Sequence, residues 1–257
     1  VRIVYSPLDA LPIAAEHPEK KIVFLAVGFE TPAPPAAAAV LAAERQGLTN
    51  FFLLSAQKLV PPVMRALLDD PTAQVDGFLL PGHVAVVTGT RLFDFLAEDY
   101  HVPGVVGGFR PDEILRALRM LVRQCAAGEA RVETAYESVV RPEGNPAARV
   151  AVDRVYEPAD TAWRGLGMIP ASGLRMRAEY AAYDFAAVRP LGAIDVPDGR
   201  RGCRCGEVLR GKIVPKDCGL FGRSCVPEHA VGPCMVSVEG TCAAWYKYGA
   251  GRFRYGA

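Results

Sequence analysis

Six of the seven cysteines in this 257-residue chain lie between Cys203 and Cys242, and only Cys125 stands apart. Such crowding suits disulfides in a small secreted domain. Here, however, the preceding residues read as an α/β protein able to fold without covalent staples, which favours metal ligation. Four of the six, Cys205, Cys218, Cys225 and Cys242, are separated by 12, 6 and 16 residues. Zinc knuckles usually place two thiolates about two residues apart on one tight turn. The nearest approach in this chain is Cys203-Arg204-Cys205. Widely spaced thiolates from separate loops suit a larger 4Fe-4S cubane, each of whose irons takes one sulfur. Zinc and disulfides remain alternatives on spacing alone, and His229 is either a substitute zinc ligand or a surface loop histidine.

The elements that must carry these groups follow from hydrophobic periodicity. Short apolar runs alternate with amphipathic stretches: Val1 to Tyr5, then Leu8 to Glu16; Ile22 to Val27, then Pro34 to Arg45; Phe51 to Leu54, then Pro61 to Leu68. The rhythm continues with Gly77 to Leu80, a helix over about Thr88 to Leu96, Val102 to Val106, and a helix over about Asp112 to Cys125. It predicts an α/β fold: one parallel sheet with helices on both faces, over residues 1–140. Such sheets bind ligands beyond the carboxyl ends of their strands. The turns expected there are Gly28-Phe29-Glu30-Thr31, Pro81-Gly82-His83-Val84 and Gly107-Gly108-Phe109-Arg110-Pro111, so Glu30, His83 and Phe109 are expected on one rim. Residues 141–202 read as a connector whose best helix is Arg175 to Tyr183. Residues 203–257 are rich in Gly, Pro and Cys, and need a cluster or metal to organise them.

Composition narrows the partners. Lys plus Arg number 29 against 28 Asp plus Glu, a formal net charge of +1, without the basic excess of a nucleic-acid binder. No apolar run approaches the roughly 18 residues of a membrane helix, since Lys21 and Glu30 bracket the best candidate. A soluble protein is expected. The chain begins at Val1 rather than methionine, and a truncated chain is the reading.

Longer motifs carry a resemblance. Cys203-Arg204-Cys205-Gly206-Glu207-Val208-Leu209-Arg210-Gly211, Asp217-Cys218, Leu220-Phe221-Gly222, Cys225-Val226-Pro227-Glu228, Gly232-Pro233-Cys234-Met235-Val236-Ser237 and Glu239-Gly240-Thr241-Cys242-Ala243-Ala244-Trp245-Tyr246-Lys247-Tyr248 together look like the C-terminal signature of the HypD family of hydrogenase maturation proteins. That family's cluster motif has the same spacing, which implies Cys205, Cys218, Cys225 and Cys242 as the ligands of a 4Fe-4S cluster. Cys203 and Cys234 are then spare thiols, as buried small hydrophobes or neighbours of the cluster. The resemblance extends upstream through the Glu30 and His83 turns and the segment Trp163-Arg164-Gly165-Leu166-Gly167 to Leu174.

The resemblance implies a cytoplasmic scaffold that assembles an iron centre bearing cyanide and carbon monoxide with the HypC and HypE proteins, the cluster supplying electrons. It implies assembly rather than conventional enzyme turnover. Glu30, Thr31 and His83 would line the cleft that holds the iron: a carboxylate can orient a histidine or accept a proton, and an imidazole can ligate iron or donate to a cyanide nitrogen. The plainer reading of each is a turn or cap. Trp163 and Arg164 either stack structurally or face a partner. The chain departs from the family at Pro32, where a second threonine is usual, at Gln57, where a histidine is usual, and at Arg110, where a glutamate is usual. The family's Cys-Gly-Thr-His and Gly-Pro-Gly-Cys-Pro-Val-Cys motifs would lie before Val1. A chain without them is expected to keep its cluster yet fail to carry the iron centre. Two rival functions are an iron-sulfur thiol-disulfide reductase and a structural zinc interaction module.

Overall fold

The computed structural model describes residues 1–163, 165–189, 192 and 202–249, and the chain divides into two compact units. Arg164 and the end of the cysteine-rich region, 250–257, lie outside the described residues.

The first unit comprises Val1–Met64, Asp76–Thr161 and Pro170–Gly192. Helix α1 (Ala10–Glu16) precedes β1 (Ile22–Gly28), α2 (Ala33–Arg45), β2 (Phe51–Gln57) and α3 (Val60–Leu68). β1 and β2 pair in parallel from Ile22 opposite Phe51 to Gly28 opposite Gln57. Parallel neighbours need a crossover, and α2 supplies it. Its alanines 33, 36, 37, 39, 42 and 43 and Val40 are all buried, so their small side chains let neighbouring elements close around the helix. The Asn50 amide donates to the carbonyls of Ala14 (2.8 Å), His17 and Lys20 (3.0 Å each), fastening the end of α1 to the start of β2.

Next come β3 (Phe78–Leu80), α4 (Gly82–Thr88), α5 (Phe95–Glu98), β4 (Gly104–Val106), α6 (Pro111–Ala127) and β5 (Val132–Thr134). The three strands form a second parallel sheet in the order β3-β4-β5. Then follow α7 (Pro146–Val155), β6 (Tyr156–Trp163), β7 (Gly167–Met176) and α8 (Phe185–Val188). β6 and β7 make a third, two-stranded sheet. The main core gathers Phe51, Leu53, Val155, Tyr156, Leu174, Met176 and Tyr180 around the alanines of α2. Each large side chain there contributes about 1.5–3 kcal/mol by leaving water.

Parallel strands joined by helices are as the apolar runs indicated. A single sheet covered on both faces is not: the strands divide between separate sheets, and Leu25 and Val27 of β1 are 65% and 68% exposed. An apolar run signals a strand but does not name the strand it pairs with. Val1 to Tyr5 forms no strand, with Val1, Ile3 and Tyr5 fully exposed and no ladder partner among the described residues. The helix expected over Thr88 to Leu96 is replaced by α4, a 3-10 turn at Arg91–Phe93 and α5, because Gly89 at φ +86° ends α4. Arg175 and Met176 end β7, and a 3-10 helix covers Ala178–Tyr183.

The second unit comprises Arg65–Val75, Ala162–Ile169 and Ala193–Ala257. Its helices are short: α9 (Cys205–Leu209), α10 (Pro233–Val236) and α11 (Thr241–Tyr248). Arg210 holds the 65–75 segment, pairing with Asp70 at 2.7 Å while its carbonyl accepts from the Gln74 N–H at 2.8 Å. Among the described residues no helix is long and apolar enough to cross a membrane.

Leu53 is fully buried and Leu25 is exposed on the same sheet. Leu53→Ala is expected to cost about 3 kcal/mol in denaturant unfolding, and Leu25→Ala less than about 0.5 kcal/mol.

Candidate functional site

In the second unit, Cys203, Cys205, Cys218, Cys225, Cys234 and Cys242 line one small apolar pocket with Val208, Leu220, Phe221, Gly232 and Met235. Cys205 opens α9, Cys218 follows the 3-10 turn Pro215–Asp217, Cys225 lies in the Leu220–Cys225 turn and Cys242 is in the first turn of α11. The four are between 5% and 8% exposed. Two glycines make this convergence possible. Gly165, at φ +92°, sits where an added Cβ would come within 2.8 Å of Cys205 Sγ, and at Gly232 an added Cβ would collide with Cys203 Sγ.

The thiols are not electrostatically equivalent. Burial pushes the Cys203 thiol up to about 11. Hydrogen bonds to Cys205 and Cys242 push Cys234 higher still, and the same Cys234 contact lowers Cys242. Cys234 therefore holds its proton between two sulfur acceptors. The Val231 N–H donates to Cys225 Sγ at 3.4 Å. Arg204 is fixed beside this wall by a two-pronged pair with Glu207, its Nε 2.7 Å from Oε1. Among the described residues, no three His, Cys, Asp or Glu side chains meet in an arrangement that holds a single metal ion. The six thiols line one shared pocket.

The upstream residues lie in the first unit. Glu30 follows β1 and is only 6% exposed; its Oε1 accepts from the Val60 N–H at 2.8 Å, tying the β1 exit to the start of α3. Oε2 has no partner among the described residues, and burial raises the carboxyl to about 7. Gly28, at φ +137°, permits this turn, since an added Cβ would lie 2.5 Å from Pro32 Cγ. Thr31 is exposed. His83 begins α4 after β3, is exposed, and stacks on Phe109 with ring centroids 3.8 Å apart. Phe109 in turn meets Tyr136 edge-on at 6.0 Å. Thus the β3 and β4 turns converge, whereas Glu30 leaves a strand of the other sheet and shares no hydrogen bond or ring contact with His83.

Glu30 instead helps wall a cavity of about 740 Å³ with Leu59, Pro62, Val87, Arg91, Arg149 and Tyr156. Two groups near this region escape notice in the sequence. Gln57, paired with Gly28 across the sheet, is 2% exposed with neither amide atom partnered, and Tyr156 is 1% exposed with its hydroxyl unpartnered, among the described residues. Gln57 ends the apolar run of β2 and Tyr156 stands between Val155 and Glu157, so local pattern does not mark either as buried without a partner.

Because Glu30 binds its proton more tightly folded than unfolded, its contribution to stability is full at and below about pH 4.5, falls as pH rises to about 7, and is level above. Glu30→Gln is expected to flatten this decline, a difference of about 3 kcal/mol across the window. Denaturant unfolding of both proteins at pH 5 and pH 8 measures it.

Comparison with known proteins gives the chain its relations. The family model HypD, described as "Hydrogenase formation hypA family", matches residues 1–249. The Hydrogenase maturation factor HypD of Rhodobacter capsulatus is 45% identical over 256 residues, covering 98% of this chain and 68% of that protein. Proteins of the same name from Cupriavidus necator and Escherichia coli K12 are 42% and 44% identical, each covering at least 96% of this chain, and 67% and 66% of their own lengths. With a family match over nearly its whole length and relatives at this identity, the chain belongs to the HypD family.

Proposed function

We propose that this chain acts in hydrogenase maturation as a cytoplasmic scaffold that works with HypC and HypE to assemble an iron centre bearing cyanide and carbon monoxide. In this reading its second unit binds a 4Fe-4S cluster through Cys205, Cys218, Cys225 and Cys242. The observation that carries the proposal is the burial of all four thiols around one apolar pocket. Zinc knuckles usually pair thiolates about two residues apart, whereas four widely spaced thiolates suit a cubane. When bound, the cluster supplies single electrons.

The chain's own residues would serve that cluster in distinct ways. The Val231 N–H donates to Cys225 Sγ, and Phe221, Leu220 and Met235 line the same pocket as the sulfurs. Cys234 stands between Cys205 and Cys242 as a proton-bearing neighbour. In the first unit, Glu30, Thr31 and His83 are the residues proposed to face the iron cargo. Glu30 Oε2 can hold or release a proton near neutral pH, and the Phe109 ring fixes the imidazole plane of His83. The sole thiol of this unit is Cys125, exposed near the end of α6.

Anaerobically prepared protein is expected to be brown, with broad absorption near 400 nm that air bleaches. Singly replacing Cys205, Cys218, Cys225 or Cys242 by serine is expected to lower iron and sulfide content, whereas Cys203→Ser and Cys234→Ser keep most of it. Full iron retention in Cys218→Ser, or zinc without visible absorption, would overturn the ligand set.

A further inference from the structure

Helix α6 presents an apolar seam that the fold leaves uncovered. It packs its Ala117 and Gln124 side against the β3-β4-β5 sheet: Ala117 is fully buried, and Gln124 is held by the Arg131 N–H at 2.7 Å and by Glu133 at 2.6 Å. On another side Leu115, Leu118 and Val122 are 66%, 40% and 65% exposed, with Ile114 beside them at 36%. The 115, 118, 122 spacing of three then four continues to exposed Cys125, which is the seam pattern by which one helix receives another. The helix is rigidly set. The Glu113 carboxylate accepts from the Phe109 and Arg110 N–H groups at 3.0 and 3.1 Å, and Gly128, at φ +66°, closes the other end.

Charge decides what fits the seam. Along one flank run Arg116, Arg119 and Arg123. Arg116 is engaged by Glu137 at 2.6 Å, while Arg119 and Arg123 form no ion pair among the described residues. The flank's one carboxylate, Asp112, is occupied by Arg110 at 3.1 Å. An antiparallel second copy would bring its own Arg119 against this one, so the flank disfavours self-pairing. It favours a seam helix edged with carboxylates. A lipid surface is the weaker match, because the sheet packing leaves only a narrow stripe rather than a broad apolar face to insert.

We propose that the exposed side of α6 is a docking site for an amphipathic helix of a partner protein, one with a leucine-type seam and acidic residues on its flank. This does not depend on the cluster reading, since it concerns a different face and different residues.

The test uses the full chain and two fluorescent helical peptides with the same leucine seam, one flanked by glutamate and the other by lysine. Anisotropy is expected to show at least about tenfold tighter binding of the glutamate peptide at low salt, narrowing at high salt. The double substitution Arg119→Glu with Arg123→Glu is expected to reverse the preference, and Leu115→Glu with Val122→Glu to abolish binding of both peptides. These positions are exposed, so circular dichroism and melting should stay unchanged, and the iron content of the protein provides a separate check on the cluster proposal. Equal binding of both peptides, or of neither, would overturn the inference. So would a concentration-dependent dimer in sedimentation that Leu115→Glu removes, or binding to anionic phosphatidylserine vesicles without any peptide preference.

Discussion

Among the described residues, the thiols of the second unit stand at the centre of its buried apolar cluster. Cys205, Cys225, Cys234 and Cys242 form its buried centre with Met235 and Ala243, rimmed by Leu220, Phe221 and Tyr246. The same sulfur atoms must therefore serve two opposed purposes. As core they prefer to be neutral, and burial raises Cys203 accordingly. As ligands they must be thiolates, which favours backbone donors such as the Val231 N–H and protonated neighbours such as Cys234. A unit built this way couples its folding to whatever neutralises its thiolates.

The first unit meets the ordinary requirement instead. Its alanine-rich crossover helix, the paired strands β1 and β2, and Tyr156, Leu174 and Met176 bury a core that needs no ligand. Against that background its buried polar groups stand out. Glu30, Gln57 and Tyr156 each keep an unpartnered polar atom among the described residues, at a cost of about 1–3 kcal/mol apiece. Two of them, Glu30 and Gln57, sit at or just past the carboxyl ends of β1 and β2, where α/β proteins carry their ligand groups. A fold that tolerates such costs at one place usually does so for function.

The two parallel sheets also differ from the usual fully covered arrangement. Leu25 and Val27 on β1, and Leu115 and Val122 on α6, leave apolar surface open. On α6 the spacing and the arginine flank give that surface a definite complement; on β1 nothing comparable selects one.

Element types and the extent of the cysteine-rich region were legible from the residue order alone. Apolar runs marked β1, β2, β3 and β4 within a few residues, since a run of Phe, Leu and Val between helices has few other solutions. Glycine, proline and cysteine density marked the region from Cys203 onward, because such a stretch lacks the apolar area to fold otherwise. Tertiary structure alone decided which strands pair, and hence that Glu30 leaves one sheet while His83 and Phe109 leave the other and stack. It also decided that Cys203 and Cys234 line the same pocket as the four spaced cysteines, and that Gln57 and Tyr156 are buried without partners. The physical reason is common to all of these. Local pattern records what a residue needs from its immediate chain, a strand or a turn, whereas pairing, burial and thiol contact depend on residues far away in the sequence, whose approach is fixed only when the cores close.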